Sequence, residues 1–127
     1  MNEYINIGKI NTDKLKIITK NAVTDEVILT SERFEHILEK HKDDFELYFN
    51  NIMDIINNPD YILNDIKNID TLMLIKHIDE TNINVILRLA IADDEIHCKN
   101  SVMTMYRIRD KNLKKLILKN KCIYKNE

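Results

Sequence analysis

The sequence predicts an α+β domain in which N-terminal helices pack on a roughly four-stranded antiparallel sheet, with a further helix at the C-terminus. Apolar residues between positions 30 and 57 recur at spacings of three and four, the signature of helices with one buried face. From position 59 that period gives way to runs rich in Ile, Val, Leu and Thr, and positions 112–119 return to helical spacing. Helices first and strands afterwards, in a chain of 127 residues, indicate one domain with helices on one sheet face and the other face free to bind.

In chain order, residues 1–29 read as peripheral extended segments. Ile5, Ile7 and Ile10, then Leu15 to Thr19, form two short strands around the turn-forming Asn11-Thr12-Asp13, and Val27-Ile28-Leu29 is a third extended run. Thr30 or Ser31 caps a helix running through Lys40, with Phe34, Ile37 and Leu38 inward. Asp43 or Asp44 starts a second helix through Ile56, and Asn57-Asn58-Pro59 ends it, because proline cannot continue a helix. The sheet spans 59–108: strands at 61–63, 71–78, 83–92 and 101–108, with Asp79 to Asn82 closing a hairpin. The region 110–127 is a basic helix and tail, its Leu113, Leu116 and Ile117 inward and Lys114, Lys115 and Lys119 outward.

Composition excludes several classes. One glycine, Gly8, and one proline, Pro59, leave no room for a glycine-rich phosphate loop or a dinucleotide fingerprint. Cys98 and Cys122 lie too far apart for a Cys-x-x-Cys pair, which points to reduced thiols in a cytoplasmic setting. The start, Met1-Asn2-Glu3-Tyr4, lacks the basic and apolar segments of a leader, and no apolar run is long enough for a membrane span. No metal or cofactor is expected. The net charge is −2, but residues 1–98 hold 10 basic and 19 acidic groups whereas 99–127 hold 9 basic and 2 acidic. The basic quarter is either a local track for a polyanion or a solvated helix face.

Four histidines are candidates for proton transfer at neutral pH. His36 and His41, five apart, lie about 140 degrees from each other on an ideal helix, a poor chelating pair unless the helix end redirects the second ring. His77 lies beside Lys76 in a strand, and the neighbours His97 and Cys98 diverge. The strands also carry cations: Lys76 in an otherwise apolar run, Arg88 facing away from Val85, Leu87 and Leu89, and Arg107 near Ser101 and Thr104. Lys76 and Arg88 are expected to meet across the hairpin. A sheet face with imidazole, fixed cations and hydroxyls suits phosphodiester transfer: the imidazole moves the proton, the cations stabilise charge growing on the phosphoryl oxygens and hydroxyls orient the phosphate. RNA brings its own 2′-hydroxyl nucleophile. The alternative is a sheet whose outer cations are merely solvated.

Ile28-Leu29-Thr30-Ser31-Glu32-Arg33-Phe34-Glu35-His36-Ile37, Glu39-Lys40-His41 and Asn58-Pro59-Asp60-Tyr61-Ile62 resemble the phage-associated barnase-EndoU-colicin E5/D-RelE-like nuclease domains. Lys76, Leu87-Arg88-Leu89 and the segment Lys99 to Tyr106 follow in register, as do Ile7-Gly8-Lys9-Ile10 and Ile123-Tyr124-Lys125, so the resemblance spans nearly the whole chain. It implies a compact α+β fold and a metal-independent, toxin-like ribonuclease, a hydrolase with His41 as preferred acid-base residue and His36, Lys76, Arg88, Ser101 and Thr104 beside it. Lys42 stands where the resemblance implies a proline and adds a cation; with Arg107, Lys114 and Lys115 it is a candidate RNA contact. An immunity or antitoxin protein is the implied partner beside RNA. A non-catalytic RNA- or protein-binding module of the same fold, such as a phage accessory protein, is the alternative.

Alternation along a regular strand sets Ser101 and Thr104 on opposite faces. Both can serve one phosphate only if a β-bulge lies between them.

Overall fold

The computed structural model describes residues 3–20, 22–90 and 99–126. The chain runs through β1 (Tyr4–Lys9), α1 (Thr12–Ile18), β2 (Glu26–Thr30), α2 (Ser31–Tyr48), a 3-10 turn (Phe49–Asn51), α3 (Ile52–Asn57), β3 (Tyr61–Asn64), β4 (Thr71–Ile78), β5 (Thr81–Arg88), β6 (Asn100–Ile108), α4 (Asp110–Lys119) and β7 (Lys121–Lys125). The class is α+β. The sheet, however, has seven strands in the order β1-β2-β6-β5-β4-β3-β7 rather than about four, and its β2–β6 pair is parallel.

Three differences from the sequence reading have local causes. Residues 12–18 are a helix and not a strand: the Asn11 side chain accepts from Lys14 N at 2.9 Å, so the polar cluster that reads as a turn acts as a helix cap. The extended N-terminal runs join the sheet as β1 and β2. The C-terminal tail is β7, paired with β3 through a register shift that leaves Ile123 unpaired, and its exposed Lys121 and Lys125 guard the sheet edge. The strand expected at 83–92 ends at Arg88; its last two residues, like His97 and Cys98, lie outside the described residues.

In the β4–β5 hairpin β4 has its expected bounds, whereas β5 starts two residues before the expected Ile83, so the turn is shorter than Asp79–Asn82. Asp79 and Glu80 have φ of 51° and 65°, the left-handed pair of a two-residue turn whose twist suits antiparallel strands. Gly8 allows β1 to approach α3, since a Cβ there would stand 2.8 Å from Met53 Cγ.

Pleat alternation divides the central strands between two apolar clusters. One face carries Leu72, Leu74, Ile83, Val85, Leu87, Val102 and Met105, packed against Ile37, Phe45 and Tyr48 of α2 and Ile52, Ile55 and Ile56 of α3. The other carries Leu63, Met73, Ile75 and Ile108, against which Leu113, Leu116 and Ile117 of α4 pack. The second face, expected to be free, is thus partly roofed by α4. Among the described residues no helix is long and apolar enough to cross a membrane.

Candidate active site

The strand β6 decides the geometry. Against β5 its register runs Asn82↔Ile108, Asn84↔Tyr106 and Ile86↔Thr104, then jumps to Leu87↔Val102 and Arg88↔Ser101. Met103 is the extra residue of a β-bulge. The bulge turns Ser101 and Thr104 onto the same face, together with Arg88, Asn84 and Tyr106. Arg33 of α2 holds it, donating from Nε to the Met103 carbonyl at 2.8 Å.

Among the described residues the outer edge of β6 has no strand partner beyond Ser101, because β2 pairs with it only at Asn100 and Ser101. Side chains of α2 take that place. Asp44 accepts from Arg107 N at 3.0 Å and from Arg107 Nε at 2.6 Å, and the adjacent carboxylate holds the Arg107 guanidinium pKa above its ordinary value. Between Arg33 and Asp44 the helix breaks at His41, whose φ of −141° and ψ of 41° are not helical. That is where the sequence signals separate two helices. The break takes the imidazole across the open edge to the Tyr106 ring, on which it stacks with centroids 5.0 Å apart and planes inclined by 28°.

Tyr106 in turn touches Asn84, whose Nδ2 lies 3.5 Å from the phenol oxygen. Burial pushes the phenol pKa up, against a smaller lowering by that amide. Asn84 Oδ1 and Thr104 Oγ1 are buried and have no hydrogen-bond partner among the described residues. Arg88 and Asn84 are four residues apart, roughly 13 Å along β5, so Thr104 stands midway between the Arg88–Ser101 pair and the Tyr106–His41 stack. Asn100 fixes the start of β6, accepting from Ala90 N and donating to the Thr24 carbonyl.

Not every candidate joins this face. The expected meeting of Lys76 and Arg88 does not occur: Lys76 lies opposite Ile83 and Arg88 opposite Thr71, so the two cations sit at opposite ends of the hairpin and on opposite faces. Lys76 Nζ instead donates to the Asn58 carbonyl at 2.7 Å, at the C-terminus of α3, where a cation suits the helix dipole. His36 is half-buried on α2, one and a half turns before the break. Lys42 is exposed, 4.0 Å from Glu46, and with His41, Asp44 and Arg107 it lines an open polar depression. Lys114 and Lys115 lie on the exposed side of α4. Among the described residues no three His, Cys, Asp or Glu side chains converge as a metal-ligating group.

Arg33, Asp44 and Asn84 have structural parts here that the sequence reading did not assign. For Asn84 a signal existed, since its amide stands between Ile83 and Val85 in the apolar stretch of β5.

Residues 4–125 match the family described as phage-Barnase-EndoU-ColicinE5/D-RelE like nuclease2. The chain belongs to that family. The resemblance drawn from the short motifs is therefore correct over nearly the whole chain, and the protein is a nuclease-family domain with a phage-associated family description. A search of curated proteins and a search of solved structures each gave no match.

Proposed function

We propose that this nuclease-family domain is a metal-independent endoribonuclease. In this reading the RNA 2′-hydroxyl attacks the adjacent phosphorus: the O2′–P bond forms, the P–O5′ bond breaks and a 2′,3′-cyclic phosphate remains, which water can open to a 3′-phosphate. His41 takes the 2′-hydroxyl proton and a protonated imidazole, that of His41 or His36, returns one to the departing 5′ oxygen. Arg88 stabilises charge on the phosphoryl oxygens, and Ser101 and Thr104 orient them. Lys42, Arg107, Lys114 and Lys115 guide the strand electrostatically, Arg107 through the guanidinium nitrogens that Asp44 leaves unused. Lys76 has no part in this version of the site, since its ammonium is held on the other face.

The observation that supports the reading is the Met103 bulge, which sets two hydroxyls and Arg88 on the face where Tyr106 carries the His41 ring. A purely structural sheet has no need of that coincidence. The test is cleavage of labelled total RNA and tRNA in excess EDTA by the full chain, beside a folded His41→Ala variant. The wild type is expected to cleave, and loss of the imidazole is expected to slow cleavage by about 10²–10⁴-fold. Equal cleavage by both proteins would remove His41 from the mechanism. No cleavage by either, on every RNA tried, would favour a non-catalytic binding module.

A further inference from the structure

Asn84 is the residue of the sheet whose presence packing explains least. It is 0 % exposed, in a central strand, flanked by Ile83 and Val85 and facing Ile75 of β4 across the sheet. An aliphatic side chain would fill that place without the cost of desolvating an amide, which is large unless the amide is fully bonded. Asn84 is not fully bonded: Oδ1 has no partner among the described residues. Its polar contact is Nδ2 to the Tyr106 hydroxyl at 3.5 Å. A phenol both donates and accepts, so the pair closes with either orientation of the amide.

Tyr106 is the surface on which the His41 ring rests. An imidazole turns about a broad, roughly two-fold terminal torsion, whereas proton transfer needs its nitrogen within about 2.6–3.2 Å of the atom it serves. The backbone on either side of the contact is already pinned, since Asp44 grips Arg107 at both its main-chain and side-chain nitrogens. What remains to be fixed is the plane of the ring.

We infer that Asn84 is a positioning residue: by holding the Tyr106 hydroxyl it fixes the phenol ring, and through that ring it sets the plane in which His41 is presented to the sheet face. The kinetic half of this inference rests on the reading of His41 as proton carrier. The structural half does not.

Two variants cut the same contact from its two ends. Asn84→Leu removes the amide and keeps the bulk, and Tyr106→Phe removes the hydroxyl and keeps the ring. The first readout is the NMR shift of the His41 ring protons in the full chain, assigned by their loss in His41→Ala. Stacking on a phenol moves these signals upfield, and Tyr106→Leu, which abolishes the stack, marks the unstacked position. Asn84→Leu and Tyr106→Phe are each expected to move the signals part of the way towards that position and to lower kcat for RNA about tenfold, a fraction of the full acid-base contribution, with KM unchanged. The double variant is expected to lose no more than either single one, because both remove one interaction. Ring-proton shifts that stay at the wild-type position in both variants would overturn the inference, as would losses of kcat that add. Should Asn84→Leu fail to fold, Tyr106→Phe, one atom smaller at a half-buried site, carries the same test. Shifts that move as expected in a protein that cleaves no RNA would support the positioning role while overturning the nuclease mechanism.

Discussion

Tyr106 and Asn84 make opposite demands on stability, and each yields a measurement. Burial raises the Tyr106 phenol pKa in the folded chain above the value near 10 that it has when unfolded. The native state therefore holds this proton more tightly than the unfolded state does, and the stability this confers is fully present below about pH 10 and is lost as pH rises through the folded value. Lys99, bonded to the Tyr4 hydroxyl and Glu26, and Arg107, bonded to Asp44, are also raised, so the alkaline loss in wild type is a composite. The difference between wild type and Tyr106→Phe isolates the phenol. Urea unfolding should show the free energy falling faster for wild type than for Tyr106→Phe from about pH 10 upward; parallel curves would mean that the ring is solvated. For Asn84 the expectation has the other sign. Its unpartnered acceptor carries a desolvation cost of about 1–3 kcal/mol, so Asn84→Leu should match or exceed wild type in urea midpoint while it loses activity. That combination marks a polar residue kept for function and not for folding.

At the scale of elements, α2 replaces a missing strand along the outer edge of β6. Arg33 occupies one carbonyl and Asp44 one amide, and between them the helix breaks at His41. Asp44→Ala leaves the exposed amide of Arg107 to water in place of its acceptor and should cost about 0.5–1.5 kcal/mol in urea unfolding. Arg33→Met keeps the stem and removes the donor to the bulge, and should cost about 1.5–2 kcal/mol, the lower part of the range for a bond from a charged group. Hydrogen exchange localises both effects: the Arg107 amide should lose protection in Asp44→Ala, and unchanged exchange there would mean that the ion pair is decorative. These contacts also explain which features were legible beforehand. Periodicity located α4, β4 and the part of α2 before His41, because each obeys one rule along its own length; the helix expected from Asp43 or Asp44 through Ile56 is divided among the end of α2, the 3-10 turn and α3. The bulge was legible only as a conflict, since Ser101 and Thr104 cannot share a face in a regular strand. Its holder, Arg33, is 70 positions from Met103, and no local pattern links them. Asn11-Thr12-Asp13 misled because a turn and a helix cap use the same side chains for the same bond. Lys76 misled for a different reason: alternation gave its face correctly relative to its neighbours, but only the hairpin register shows that five positions separate its row from that of Arg88.

Over the whole molecule, charge separates the acidic body from the basic C-terminal quarter. The helix α4 packs on the sheet face that carries Tyr106, so its exposed lysines border the proposed site, whereas Lys16 lies on α1, which packs through Leu15 and Ile18 against the opposite cluster. A polyanion approaching along α4 meets Lys111, Lys114, Lys115 and Lys119. Binding through α4 should therefore be strong at low salt and steeply salt-dependent, since each phosphate neutralised releases condensed counterions. For a single strand the slope of log K against log salt changes by about 0.7 per phosphate contact, so the pair Lys114→Ala and Lys115→Ala should reduce its magnitude by about 1.4. Fluorescence anisotropy with a labelled oligoribonucleotide measures this directly, in the His41→Ala background so that the strand stays intact. Lys16→Ala in the same background serves as the control and should leave the slope unaltered. If removing the α4 lysines leaves it unaltered as well, the basic quarter is a solvated face, and the RNA must be held by Arg88, Lys42 and the loops alone. If the slope falls as expected, α4 both roofs one end of the sheet with Leu113, Leu116 and Ile117 and, with its outer side, leads the strand towards Thr104 and His41.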